Sequence, residues 1–344
     1  MTDRIGGGKE LMLNPEQTQE YDIPETLARP LSIKTRELTK AFNGEVAVNQ
    51  IDLEVPEGAI FGFIGPSGSG KTTTVRLLMG LFEPDAGEIS VLGKRPAQFK
   101  RHDRERLGYL PQLFVLYPDL TVWENMNFAA SLYGVPFLRT KRLNDMLELV
   151  ELRGDKHKLV RNISGGMQRR LSLAATLIHD PDLLFLDEPT AGIDPILRRK
   201  FWDYFKVLQS NGDTLFVTTQ YVGEAAYCDF VGVMSEGRLL SVNTPEGLRR
   251  EAYGGDIVKM GSTERIDYQL RQEVQNLPEL KSKILNATDY EIQLLVDDDA
   301  TAIPYLVEYF RDRQKSINSV EGYYPSYDDV FVKLIEKHRN DQNG

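Results

Sequence analysis

An eight-residue stretch, Gly65-Pro66-Ser67-Gly68-Ser69-Gly70-Lys71-Thr72, joins a glycine-rich backbone to a lysine and a hydroxyl. It follows an apolar run, Ala59-Ile60-Phe61-Gly62-Phe63-Ile64, and precedes a helical pattern over 73–79 that begins with Thr73. Strand, glycine loop and helix form the context in which the spacing G-x-x-x-x-G-K-[ST] is a phosphate-binding P-loop rather than a chance glycine-rich turn. A loop poor in Cβ atoms lets backbone N–H groups curl around a phosphate chain. The helix that follows points its positive end at the same phosphates. Lys71 adds a mobile cation for the β- and γ-phosphates, and Thr72 offers its hydroxyl to Mg²⁺.

Two further groups suit that chemistry. Leu183-Leu184-Phe185-Leu186-Asp187-Glu188 ends a fully apolar run in two carboxylates. Alone, acids at a strand end are often just a polar cap. Beside a P-loop, the first, Asp187, is placed to reach the Mg²⁺ shell near Thr72. Glu188, one residue on, is suited to polarise an attacking water as general base. Asn162-Ile163-Ser164-Gly165-Gly166-Met167-Gln168-Arg169-Arg170 opens a second helix on a serine and two glycines. Ser164 is a good N-cap and the glycines permit close backbone approach, so this is a second helix start able to face a phosphate. Such a start is commonly no more than a cap.

These groups need a framework to hold them. Short strand patterns at 32–38 and 51–55 are separated by turns at Asn43-Gly44 and Pro56-Glu57-Gly58. Further strands are expected at 88–92, 107–110, 183–186, 214–218, 230–234 and 239–242. Apolar residues at a 3.6-residue period predict helices over 121–133 and 138–152, with others over 165–178 and 195–209. Alternating strands and helices predict a mostly parallel sheet covered on both faces, with residues 113–180 as a helical insertion. From about residue 251 the order strand, helix, strand, strand, helix, strand is the split βαβ arrangement, with a last helix over 327–337. The acidic run Asp297-Asp298-Asp299 lacks the ligand spacing of a Ca²⁺ loop and reads as a helix start. Residues 1–30 are polar, carry Pro15, Pro24 and Pro30, and read as a disordered arm. The division is therefore an arm at 1–30, a nucleotide-binding domain at 31–250 and an accessory α+β domain at 251–344.

Composition narrows the partners. The chain has 344 residues, 41% of them hydrophobic, with 51 acidic against 41 basic side chains and a formal net charge of −10. That balance gives no electrostatic reason to expect a nucleic-acid partner. One cysteine, Cys228, excludes an internal disulfide and fits a reducing compartment. No apolar run approaches the roughly 20 residues that cross a bilayer, so work at a membrane requires another chain as anchor.

The P-loop, the Ser164-Gly165-Gly166 helix start and the Asp187-Glu188 strand end together resemble the ATP-binding cassette (ABC) family over about residues 32–250. The resemblance implies an α/β fold of the P-loop NTPase class: a RecA-like core with an antiparallel β-subdomain and a helical insertion. It implies ATP and Mg²⁺ as ligands and ATP hydrolysis as the activity. By it, Phe42 stacks on adenine, Gln112 reaches Mg²⁺ and the attacking water, and Asp194 in Ala191-Gly192-Ile193-Asp194 crosses a dimer interface. In the family two protomers pack head to tail, each ATP held between one P-loop and the partner's serine-glycine motif. Nucleotide closes the dimer and hydrolysis releases it.

Two positions depart from the family pattern. Gln220 stands where a switch histidine is usual, and none of His102, His157, His179 and His338 is near it in sequence. Its amide can donate to a γ-phosphate and accept from water but cannot titrate. Met167 stands where a glutamine is frequent. Ser-Gly-Gly-Met-Gln-Arg-Arg, Leu120-Thr121-Val122-Trp123-Glu124-Asn125 and the ending Tyr327-Asp328-Asp329-Val330-Phe331 are similar to the ATPases of daunorubicin-exporter-like systems. That branch implies export of a hydrophobic or amphipathic compound through a separately encoded permease, with the ATPase working as a homodimer on the cytoplasmic face of the membrane. The apolar run Leu113-Phe114-Val115-Leu116-Tyr117 then either receives a permease helix or packs the insertion. The rivals are a soluble ABC ATPase with a non-membrane partner and a nucleotide-binding module that no longer hydrolyses.

Overall fold

The computed structural model describes residues 29–113, 115–277, 280–313 and 317–343. The expected arm at 1–30 lies almost wholly outside the described residues, as does Phe114.

Strands β1 (Leu31–Phe42) and β2 (Glu45–Pro56) form a hairpin that turns at Asn43 and Gly44, with φ of 51° and 87°. Two successive positive φ values match the twist of the flanking strands, and Asn-Gly reaches them at least cost. Both strands are longer than the patterns at 32–38 and 51–55. They run on through Glu37 and Gln50, which take φ of 47° and 50° where the register shifts. Such irregularities break the alternation that a sequence reading follows. β4 (Ala86–Val91) pairs with the other edge of β1, giving the order β2-β1-β4.

The main sheet has six strands in the order β5-β6-β7-β3-β8-β9. β3 (Ile60–Ile64), β5 (Leu107–Leu110), β6 (Leu183–Asp187), β7 (Thr214–Thr219) and β8 (Phe230–Ser235) are parallel. β9 (Arg238–Asn243) joins β8 antiparallel at the edge. Burial on both faces explains why these strands read as unbroken apolar runs. Ile60, Ile64, Leu184, Leu186, Leu215 and Val217 enter one core, with side chains from α3 (Val122–Leu132), α4 (Thr140–Leu149), α5 (Gly165–Leu177) and α6 (Pro195–Ser210). Phe61, Phe63, Leu183, Phe185 and Phe216 enter a second core with α1 (Lys71–Leu78) and the β2-β1-β4 sheet. Each such buried side chain contributes roughly 1.5–3 kcal/mol relative to exposure. A short helix, α2 (Arg101–Glu105), precedes β5 and escaped the sequence reading.

The next strands, β10 (Asp256–Ser262), β11 (Lys283–Ala287), β12 (Glu291–Val296) and β13 (Ile317–Gly322), pair antiparallel in the order β11-β12-β10-β13. α8 (Tyr268–Gln275) and α9 (Asp299–Asp312) share a separate core with them. Asp298 caps α9, accepting from the Thr301 N–H at 3.2 Å, as the acidic run predicts.

The boundary drawn at 250/251 falls inside α7 (Pro245–Tyr253), a helix the sequence reading passed over. Its signals were present: Thr244 accepts from the Gly247 N–H, Pro245 starts the helix, and Gly254 ends it at φ 84°. The final helix, α10 (Tyr327–Asn343), also leaves the β10–β13 unit. Val330, Phe331 and Leu334 pack in the core of the main sheet's helical face, not in the accessory core. Arg249 of α7 lies over the Tyr327 ring at 4.0 Å, and Lys333 over the Tyr253 ring at 3.9 Å.

Candidate active site

The site lies at the carboxyl ends of the parallel strands, where an open α/β sheet offers its crevice. β3 delivers the 65–70 loop and α1 follows it directly. Glycine is required at both ends of the loop. A Cβ on Gly65 would lie 2.3 Å from the Met234 carbonyl oxygen. One on Gly70 would lie 2.3 Å from the Ala47 oxygen, and Gly70 has φ 102°. Gly70 also occupies the N-cap of α1, and no side chain caps the helix there. Its first N–H groups are therefore left to whatever occupies the loop. Pro66, Ser67 and Gly68 form the exposed tip, while the Ser69 hydroxyl is buried without a hydrogen-bond partner among the described residues. This cradle suits a phosphate chain.

Lys71 is buried, and its ammonium donates to the Gly65 and Pro66 carbonyls at 2.7 and 2.9 Å. Burial pushes its pKa down, and the nearby Glu188 and Asp187 oppose that shift. Thr72 donates its hydroxyl to Asp187 Oδ2 at 2.9 Å, and Thr218 of β7 donates to Asp187 Oδ1. Two oxygen donors, one carboxylate and one hydroxyl, thus sit side by side, a set suited to a hard divalent cation.

Glu188 takes the left-handed region, with φ 52°. A non-glycine residue there is strained and stays only where its surroundings fix it. Its N–H donates to the Thr218 carbonyl at 3.0 Å and to the Thr218 hydroxyl at 3.2 Å. Its carboxylate accepts from Gln112 Nε2 at 3.4 Å. From the far side, Ser67 donates to the Gln220 amide oxygen at 3.3 Å. Lys71, Thr72, Asp187, Glu188, Gln112, Ser67 and Gln220 therefore converge from four strand ends.

The other expected residues do not join that network. Ser164 caps α5, accepting from the Met167 N–H at 3.2 Å, with Gly165 exposed beside it. Gly166 lies against the 191–194 loop, its Cβ direction 3.7 Å from the Gly192 oxygen. Asp194 caps α6, accepting from the Ile196 and Leu197 N–H groups at 3.1 and 3.0 Å. Phe42 is 39% exposed at the hairpin end, edge-on to Phe82 at 5.3 Å. Among the described residues, no hydrogen bond ties Ser164, Gly165, Gly166 or Asp194 to the P-loop.

Arg169, in the serine-glycine stretch, is a site residue that the sequence pattern does not point to. Its guanidinium, 3% exposed, reaches the site from α5 and donates to four backbone carbonyls. Only the general rule that a buried arginine needs acceptors could have flagged it, and burial is not visible in the sequence. The apolar run after Gln112 divides: Leu113 and Val115 are 80% and 76% exposed, whereas Leu116 packs on the helical core.

The sequence profile of the ABC transporter family matches residues 48–191. The chain is 38% identical over 221 residues to the probable multidrug ABC transporter ATP-binding protein YbhF of Escherichia coli (strain K12). That match takes in 64% of this chain and 38% of YbhF, so the chain spans about two fifths of that relative's length. It is 38% identical over 230 residues to the Nod factor export ATP-binding protein I of Burkholderia lata, covering 66% of this chain and 76% of that protein. Among solved structures, an ATP-binding subunit of an ABC transporter superposes with a TM-score of 0.60 at 26% identity, over 64% of this chain and 92% of that one. A dimeric ATP-binding cassette in a post-hydrolysis state with ADP and Pi superposes with a TM-score of 0.58 at 25% identity, over 62% and 98%.

Proposed function

Because the chain belongs to the ABC transporter ATP-binding family, we propose that it binds ATP with Mg²⁺ and hydrolyses it as the nucleotide-binding subunit of an exporter. One observation carries the reading: the buried Asp187 accepts from Thr72 of the P-loop while Glu188, beside it, meets Gln112. Lys71 exchanges the Gly65 and Pro66 carbonyls for β- and γ-phosphate oxygens. Thr72, Asp187 and Gln112 would hold Mg²⁺, which would supply charge neutralisation on the phosphates. Glu188 accepts a proton from water as the water oxygen bonds to the γ-phosphorus. The bond from that phosphorus to the bridging oxygen breaks, and ADP leaves with the electron pair. Gln220 donates its amide to the γ-phosphate, and Phe42 offers a ring face to adenine.

Ser164, Gly165, Gly166 and Asp194 serve the second half of the site, across a head-to-tail homodimer. The exposure of Ser164, Gly165 and Asp194, and the separation of all four from the P-loop, support that role. Among the described residues no helix is long and apolar enough to cross a membrane. On this exporter reading a separately encoded permease supplies the transport path and holds the subunit at the cytoplasmic face. Leu113 and Val115 offer that partner exposed apolar side chains just after Gln112.

The test is Glu188→Gln. Phosphate release falls by about 10²–10⁴-fold, the usual worth of a general base, while ATP binding persists. Unchanged hydrolysis removes Glu188 as the base. Pull-down of the same variant from detergent-extracted membranes with ATP–Mg²⁺ recovers a multi-spanning partner. Recovery of soluble partners alone overturns the exporter reading and leaves the ATP site standing.

A further inference from the structure

Arg169 stands on the second turn of α5, about 7.5 Å along the axis from Ser164 at the usual rise per residue. Its Nη1 donates to the Pro111 oxygen at 2.6 Å and the Gln112 oxygen at 3.1 Å. Its Nη2 donates to the Asp187 oxygen and, at 2.5 Å, to the Glu188 oxygen. The guanidinium is buried, and that burial lowers its pKa against the pull of Asp187 and Glu188. The four carbonyls belong to two strand ends, β5 and β6, which carry Gln112 and Glu188.

We propose that Arg169 is a positioning residue for hydrolysis, fixing the backbones of Glu188 and Gln112 to the helix that begins at Ser164. The inference rests on the ATPase reading above. Glu188 needs such a fixture, because its φ of 52° is one that a side-chain-bearing residue leaves when unrestrained. A planar fork carrying donors on two nitrogens can serve two pairs of carbonyls at once, whereas a lysine ammonium is a single point and cannot span them. The arrangement also puts both protomers' sites in mechanical contact. In the head-to-tail dimer, the α5 start meets the partner's ATP while Arg169, on the same helix, holds its own protomer's base.

The experiment uses the full chain with Arg169→Lys and Arg169→Met, each alone and combined with Glu188→Gln. Phosphate release, binding of a fluorescent ATP analogue and thermal unfolding are measured on all. In the single variants kcat falls roughly 10–100-fold, the scale of an ångström's misplacement, with analogue affinity held within about twofold. In the Glu188→Gln background the same changes cost less than about threefold more, because both act through one group. Loss of analogue binding in step with kcat overturns the proposal, as does an undiminished kcat. A full multiplicative loss in the double variants also overturns it, showing that Arg169 acts apart from Glu188. If Arg169→Met does not fold, Arg169→Lys with an unchanged melting temperature decides the matter. Glu188→Gln alone reports on the ATPase reading: were it fully active, the assigned base and this proposal would fall together.

Discussion

Helices α1 and α5 both carry glycine at their start, α1 at its N-cap and α5 in its first turn, yet those starts are finished differently. α1 starts at Gly70 in the left-handed region with no side-chain cap, and its chain neighbours converge on it: Asp187 on Thr72, carbonyls on Lys71. α5 starts at Ser164, whose hydroxyl already satisfies the Met167 N–H, and it faces outward. One start is uncapped and enclosed by its own chain; the other is capped, stable alone and exposed. A site assembled within the protomer must leave donors free in advance. A surface that meets a ligand across an interface must first be stable without it. The C-terminal ends differ too. α1 carries Arg76 in its last turn, favourable to the helix dipole, whereas α5 has no basic residue there and is followed by Asp180 and Asp182.

The sharpest break of this comparison pairs Lys71→Ala with Ser164→Arg. Lys71→Ala weakens binding of a fluorescent ATP analogue to the dilute protein by about 10–100-fold, the worth of a charge-assisted hydrogen-bond set. Ser164→Arg leaves that affinity within about twofold but lowers hydrolysis at least about tenfold and abolishes the ATP-dependent dimer on size exclusion. Equal effects on monomer binding would mean that both helix starts serve one site.

Gln220 sharpens the α1 side, since it meets Ser67 of the loop. Because an amide does not titrate, the rate shows no step near pH 6.5 from this position. Gln220→His introduces a step there, and Gln220→Ala lowers kcat by about threefold to tenfold. If the histidine variant kept the wild-type pH–rate profile and the alanine variant stayed fully active, Gln220 would not be a site residue.

The smallest effect tests the α5 end. Burial, then Asp180 and Asp182, pushes the Asp213 carboxyl up to about 6. A carboxyl raised in the folded state holds its proton more tightly there than in the unfolded chain. The cost is absent below the ordinary carboxylate range, grows as pH rises, and is complete above about 6. Asp213→Asn therefore raises the melting temperature by about 1–3 °C at pH 7.5 and leaves it unchanged near pH 4. A gain of the same size at both pH values would show that the carboxylate's charge is not the source.

The contrast also explains what was legible in the sequence. The P-loop is local: eight consecutive residues between a strand and a helix state their geometry outright. Ser164 was legible as a cap for the same reason, whereas Asp194 was read only as an interface residue and its capping of α6 was not foreseen. The Asn43-Gly44 turn was legible, but the length of its strands was not, because Glu37 and Gln50 interrupt the period without ending the pairing. Glu188 was legible as a residue but not as a strained one, since its φ is imposed by Thr218 from a neighbouring strand. Arg169 was invisible because its acceptors lie 58 and 18 residues away, and backbone carbonyls leave no mark in a sequence. The succession of strands and helices in the accessory unit was readable. The return of α10 was not, because an amphipathic helix does not state which core takes its apolar side.

The packing of α7 against α10 has a mechanical consequence. The β10–β13 unit is entered from one of these helices and left through the other, and the two are clasped by the Arg249–Tyr327 and Lys333–Tyr253 contacts. It is thus borne on a double stem rather than a single tether, which suppresses free swivelling and leaves bending about the paired helices as its soft motion. α10 also packs on the turn Val222–Tyr227, just downstream of Gln220. The base of the stem therefore rests on the segment that follows Gln220, so the accessory unit and the site share one support.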